Sequence, residues 1–453
     1  MQTISREDIL ERYLSWWDEH SQHVGEVHGR VLELRLDGLR LLAGLIEQQV
    51  NDVQAKPGSS GEGWVSGGSQ RSPGSGIAPS NQPTAVKTAA LFTLADLQEF
   101  ATGDIVKCLG QEYAIYAGRR SPRIPNGALL LMSRITQIEG QRGQFDHPSS
   151  IRVEYDVPTD AWFFDSEPGG ELPYSICMEI ALQPCGFLTA FLGTPLRYPT
   201  TDFFFRNLDG QTRFTRPIDG RGMTIQTNAT LLETVFGGDT IIQRFAFELE
   251  CDGEVFFEGR STFGYFTTHS MASQAGLDGG KPAQPWYLKA SRSNGHLFSP
   301  VRVGGLPQDR LRLIEQMLVE PAGGGNQAGY IYASRQNSPD DWYYACHFYQ
   351  DPVMPGSLGI EAMLQAMKVF ARQQSGAKVE IRLAVGPQMK WKYRGQVLQS
   401  HRQMQLEVHL HPAQQTGGRR LLSGDASLWA DDMRIYETQN MVIEIKGISA
   451  KDA

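Results

Sequence analysis

Apolar and polar positions divide the chain into three regimes. In residues 4–50, Ile9, Leu10, Tyr13, Leu14 and Trp17 form one apolar group, and Val31 to Ile46 supplies a second beyond Gly25 and Gly29. That spacing predicts two helices, the first opened by Ser5 and Asp8 at a capping-box interval. Between 51 and 86 the pattern vanishes. The runs PGSSGEG and GGSQRSPGSG hold too little apolar surface to offset chain ordering, which predicts a flexible tether. Beyond Lys87 two apolar runs, Ile176–Phe191 and Leu358–Phe370, are long enough for helices enclosed by other structure. Strand-like segments follow each: Met223–Ala229, Ile241–Leu249 and Val255–Phe266, then Val379–Val385, Met389–Val397, Met404–His409 and Leu421–Trp429.

The order of these features repeats. Ile124-Pro125 is answered 182 positions later by Leu306-Pro307, Trp162-Phe163-Phe164 is answered after 180 by Trp342-Tyr343-Tyr344, and Glu179 is answered after 182 by Glu361. A duplicated unit explains the coincidence. The expected architecture is α+β, an antiparallel sheet wrapping one central helix, made twice.

Composition narrows the function. With 42 Lys+Arg against 50 Asp+Glu, the formal charge of −8 argues against a dedicated nucleic-acid binder, which needs clustered cations to displace phosphate counterions, and leaves room only for a local basic patch. Five cysteines without paired spacing point away from disulfides and structural zinc. His20, His23 and His28 lack a matching ligand pattern, and His401, His409 and His411 read as exposed strand or loop residues. No dinucleotide fingerprint or phosphate loop is present. No run reaches the roughly 18 apolar residues of a membrane span, and no signal-peptide order opens the chain, so the reading is a soluble, cytoplasmic protein without membrane contact.

The densest chemical signal is DDWYYACHFYQDPVMPGSLGIEAMLQAM, residues 340–367. It reads as strand, tight loop, helix. His347 stands 14 positions before Glu361, a spacing that allows an imidazole and a helix-borne carboxylate to face one cavity. Cys346 adjoins His347, but neighbours on an extended segment point to opposite sides, which favours packing over nucleophilic chemistry. Asp351 suits a loop-orienting or turn-capping role. Gln365 and Gln183 each follow a helix glutamate by four residues and suit its support.

This segment resembles the active-site region of the FabA/FabZ-type 3-hydroxyacyl dehydratases. With WKYRGQVLQ at 391–399, ATGDIVKCLGQEYA at 101–114 and PRIPNGALLLMSRI at 122–135, the chain is similar to the dehydratase region of polyunsaturated-fatty-acid synthases and related polyketide synthases. The resemblance implies a tandem hotdog fold: a first hotdog over 87–290 and a second over 291–453, preceded by the helical extension 1–50 and the linker 51–86. It also implies that the histidine of one hotdog meets the acid of the other. His347 is then the general base, Glu179 the general acid, and Gly356, after Pro355, the backbone N–H donor to the developing oxyanion. Glu361 faces the companion site, where Glu167 stands at the place of the histidine and the turn before the helix is shortened, so that site is expected to be inactive.

The implied reaction removes water from a 3-hydroxyacyl thioester on the phosphopantetheine of an acyl carrier protein, with no metal, nucleotide or flavin. Gln183, Asp351, Pro355 and Glu361 are supporting candidates; Tyr344, Phe348 and Tyr349 are divided between core and substrate tunnel. Residues 1–50 are a candidate docking segment for synthase partners, and a homodimer stays open. A non-catalytic acyl-binding or scaffold module, a thioesterase, and a dehydratase that also shifts the double bond remain alternatives.

Overall fold

The computed structural model describes residues 90–164, 171–237, 240–290, 299–301, 307, 309–375, 379–416 and 419–447. The expected helices within 1–50, the tether 51–86, Glu167 and Leu306 lie outside the described residues. Contacts divide the chain into units 1–84 and 85–453, and all the elements named below belong to the second.

Strands of the first half are β1 (Arg134–Glu139), β2 (Ser149–Asp156), β3 (Phe204–Phe214), β4 (Thr224–Gly237), β5 (Thr240–Cys251) and β6 (Glu254–Phe266). Those of the second are β7 (Ser299–Pro300), β8 (Gln316–Glu320), β9 (Tyr330–Gln336), β10 (Val379–Leu383), β11 (Met389–Tyr393), β12 (Gln403–Leu410), β13 (Gln414–Thr416), β14 (Arg419–Ala430) and β15 (Met433–Gly447). The α-helices are α1 (Leu94–Ala101), α2 (Ile105–Leu109), α3 (Tyr174–Phe191), α4 (Thr268–Ala272), α5 (Trp286–Ala290), α6 (Trp342–Cys346) and α7 (Gly356–Ser375). Burial alternates along β2 and β5, as period-two side chains on a half-covered sheet require.

All strands join one antiparallel sheet whose centre is the pair β3 and β11. Outward from that seam the order is β6, β5, β4, β2, β1 on one side and β15, β14, β12, β9, β8, β7 on the other, with β10 on β15 and β13 on β14. The two sides carry corresponding strands in the same order. Register confirms the duplication: Trp391 pairs with Gly210, and a shift of 182 residues maps this pair onto Asp209 and Lys392, itself a pair. Trp162 and Trp342 meet edge to face at 5.1 Å, and their indole N–H groups donate to Ala128 and Arg310, carbonyls again 182 apart. The fold is thus the expected double hotdog, with α3 packed inside the first half and α7 inside the second.

Helix α3 contains Pro184, which cannot donate to the Ile180 carbonyl one turn earlier. The buried Thr227 hydroxyl on β4 takes that carbonyl at 3.2 Å. Thr227→Val keeps the shape but removes the donor, and is expected to cost about 1–2 kcal/mol in urea unfolding with an unchanged m value.

Two expectations need correction. Residues 342–346 form a single helical turn rather than a strand. The Asp341 carboxylate accepts from Ser338 N at 3.1 Å and the Tyr343 hydroxyl at 2.9 Å and is paired with Arg335, while Tyr344 N bonds Asp341 O. These local bonds override the strand preference of the aromatic run, so the alternation argument for Cys346 does not apply. Secondly, Tyr174–Arg197 is long and apolar enough by composition to cross a bilayer; it is mostly buried as a core segment of the first half.

Candidate active site

The second half delivers His347 at the end of α6, where its N–H bonds Tyr343 O at 2.8 Å. The preceding carbonyl, Cys346 O, accepts from both the backbone N and Nδ2 of Asn126 in the first half, at 2.8 and 2.9 Å. Asp351 is gripped by Arg206 on β3 through two bonds of 2.6 and 2.8 Å, with Arg120 at 3.3 Å. A planar guanidinium holding a carboxylate in this paired way fixes orientation as well as distance. The loop carrying His347 is therefore moored to the other hotdog at both ends.

The imidazole tautomer follows from its partner. Nδ1 lies 2.9 Å from Val353 O, and a carbonyl only accepts, so Nδ1 carries the hydrogen. Nε2 keeps the lone pair. Burial lowers the His347 pKa to about 4, assisted by the Arg206 charge and opposed by the Val353 bond, so the ring is neutral at pH 7.

Glu179 comes from α3 and is buried. Its Oε1 accepts from the Ser357 hydroxyl at 2.7 Å, and its Oε2 from Gln183 Nε2 at 3.2 Å. Burial raises its pKa above the ordinary carboxylate value, the two hydrogen bonds opposing. Gln183 is itself fixed, donating to Leu129 O at 2.7 Å and accepting from Leu131 N at 3.0 Å.

His347, Glu179 and Gly356 line a single cavity of about 100 Å³, walled by Ile124, Met178, Leu182, Phe205, Phe263 and Met354 among others. Gly356 is the first residue of α7, where backbone N–H groups lack helical acceptors and the helix dipole favours negative charge. A Cβ at Gly356 would fall 2.6 Å from the Tyr393 ring, so the close approach itself demands glycine. Pro355 O accepts from Leu358 N at 3.1 Å in the first turn.

Glu361 is elsewhere. It is fully buried on α7 and accepts from Ser175 N at 3.0 Å. Its Gln365 neighbour donates to Leu311 O, as Gln183 does to Leu129 O 182 positions earlier. The residue equivalent to Gly356, however, is Tyr174, whose hydroxyl bonds Thr212 at 2.7 Å. A cavity of about 30 Å³ lined by Tyr174, Thr212, Leu364 and Met389 remains there, and Glu361 is not in its wall.

Of the tunnel candidates, Phe348 lines the larger cavity. Tyr344 does not: it is buried, and its hydroxyl donates to Asn337 at 2.8 Å, a core role. Tyr349 is exposed beside Arg123, in a smaller neighbouring cavity. His401, His409 and His411 are half-buried and hydrogen-bonded rather than exposed. All five cysteines are free. Among the described residues no group of three or more His, Cys, Asp or Glu is placed to hold a metal ion. The site also contains residues that spacing did not single out: Ser357, Asn126, Arg206 and Tyr393, a cavity-lining residue whose buried hydroxyl has no hydrogen-bond partner. For Ser357 the 182-residue repeat, which pairs it with Ser175, was an available signal.

Known proteins share parts of this chain. Residues 306–439 match the family model described as a FabA-like domain. A polyunsaturated fatty acid synthase protein of Thraustochytrium sp. is 33% identical over 387 residues, 78% of this chain and 26% of that protein, so the chain spans about a quarter of its relative. Among solved structures, the dehydratase domain from the CurJ module of curacin polyketide synthase aligns at 9% identity with a TM-score of 0.40, over 71% of this chain and 98% of that one. The 12:0-ACP thioesterase from Umbellularia californica aligns at 10% identity and 0.39, over 66% and 94%. The duplicated sheet thus carries a FabA-like match over its second half, residues 306–439, and the chain is similar over 387 residues to part of a polyunsaturated fatty acid synthase protein.

Proposed function

We propose that this site removes water from a 3-hydroxyacyl thioester held on the phosphopantetheine of an acyl carrier protein, leaving a trans-2-enoyl thioester. The observation that supports it most is that one cavity is lined by two groups whose surroundings push them in opposite directions: an imidazole whose Nδ1 is held by the Val353 carbonyl and whose pKa burial lowers, and a carboxyl whose pKa burial raises. One can accept a proton while the other gives one.

His347 Nε2 takes the C2 proton. The electron pair of that C–H bond becomes the C2–C3 double bond as the C3–O bond breaks, and Glu179 protonates the departing hydroxyl. Charge that gathers on the thioester oxygen is met by the Gly356 N–H at the start of α7. Imidazolium and carboxylate are left behind, and proton return through solvent restores both. In this reading the first hotdog, 87–290, supplies the acid and the second, 291–453, the base. The companion site is inactive, since Tyr174 fills the place that corresponds to the glycine.

The test is incubation with 3-hydroxyacyl carrier thioesters and analysis of the products. A 2-enoyl thioester without free acid is expected. Free acid as the main product would replace this reading with a thioesterase, and direct formation of the 3-enoyl thioester with a dehydratase that also moves the double bond.

A further inference from the structure

Helix α3 turns two more residues toward the cavity. From Tyr174 to Ala190 every residue is buried except Leu182 and Gly186, and both line the cavity that holds Glu179. The three lie three and four positions apart, on one stripe of the helix.

Gly186 is not explained by the backbone. It stands in a helix interior, where glycine is disfavoured. A Cβ there would meet only Phe205 Cε1 at 3.7 Å and Ile124 Cγ2 at 3.8 Å, which is ordinary contact. On α7, by contrast, a Cβ at Gly356 or Gly359 would strike a tyrosine ring at 2.6 or 2.7 Å. The position equivalent to Gly186, 182 residues on, carries the long side chain of Lys368. What glycine preserves at 186 is therefore space, bounded by Ile124, Leu182, Phe205 and Phe263. These walls are carbon, and they suit a hydrocarbon.

We infer that Gly186 is a specificity-determining position: the acyl chain runs along α3 from Glu179 past Leu182 and over Gly186, and the missing side chain sets the length of chain admitted. This rests on the reading of the site as one for acyl thioesters.

A graded series, Gly186→Ala, Gly186→Val and Gly186→Leu, tests it with two readouts. The first is kcat/KM for 3-hydroxyacyl thioesters from butyryl-sized to dodecanoyl-sized. The second is binding of unreactive acyl-pantetheine amides of the same lengths. The expected result is a length-dependent loss that grows with side-chain size, about tenfold or more for the longest chains with the leucine variant and within about twofold for the shortest. A loss equal at every length, or none in a folded leucine variant, overturns the inference. If that variant does not fold, the alanine and valine variants decide by the same criterion. A length-dependent change in binding without turnover by any enzyme, wild type included, would sink the dehydratase reading and leave Gly186 standing. Normal dehydration with an unaltered length profile would do the reverse.

Discussion

His347→Ala is expected to lower kcat/KM for 3-hydroxyacyl thioester dehydration by about a thousandfold or more, within the range that a positioned general base supplies. Circular dichroism and the melting temperature should show the fold retained, because the backbone bonds of the loop to Asn126 and Tyr343 do not involve the ring. The wild-type pH profile carries a second expectation. With a pKa near 4, the imidazole stays neutral well below its ordinary value, so the acid limb of kcat/KM falls near pH 4. Stability follows the same group. The unfolded chain binds this proton near pH 6.5 and the folded one only near 4, so the contribution is present above the unfolded value and is lost as pH falls through the folded one. The alanine variant should lose that component of acid sensitivity. Turnover close to wild type in the folded variant would remove His347 from the mechanism, and an acid limb near pH 6.5 would show that burial does not lower its pKa.

Glu179→Gln is expected to cost about a hundredfold or more in kcat/KM, since the amide oxygen can still accept from Gln183 while its NH2 donates to the Ser357 hydroxyl, but it has no acidic proton. Glu361→Gln should stay within about threefold, as its carboxylate lies outside the cavity walls and accepts a backbone N–H, a task an amide oxygen also performs. Because burial raises the Glu179 pKa, the acid remains protonated above the usual carboxylate range, and activity should decline on an alkaline limb that Glu179→Gln abolishes. The stability sign is opposite to that of His347. A raised folded pKa contributes stability below the unfolded value, lost as pH rises through the folded one. A larger loss from Glu361→Gln than from Glu179→Gln would reassign the acid to the same half as the base.

The two central helices and the strands after them were readable because their apolar runs are long; their bounds shift by up to five residues, except that β4 continues eight residues past Ala229. The duplication was readable from three short coincidences, and the paired tryptophans and the seam register show why those residues recur. Strands β1, β2, β3, β7, β8, β9, β13 and β15 were not picked out; β3 is defined in part by a partner far along the chain, β11, whereas β1, β8 and β15 each pair with a strand next to them in sequence. At the site, His347 and Glu179 could be named, yet their environment could not. The tether of Asp351 to Arg206 spans 145 residues, and that of Cys346 to Asn126 spans 220. No pattern within a local window encodes such bonds. The Trp342–Cys346 turn was misread for a different reason: the local bonds of Asp341 with Arg335 and Tyr343 outweigh the aromatic composition.

The seam between β3 and β11 also bears on when the site comes into being. His347 and Glu179 are 168 positions apart, and β11 must pair with both β3 and β15 before the loop and α3 share a cavity. Contacts of that sequence separation form slowly. A chain emerging from the ribosome therefore carries Glu179 before His347 has been made, and the cavity that both line is completed only when the last strands close.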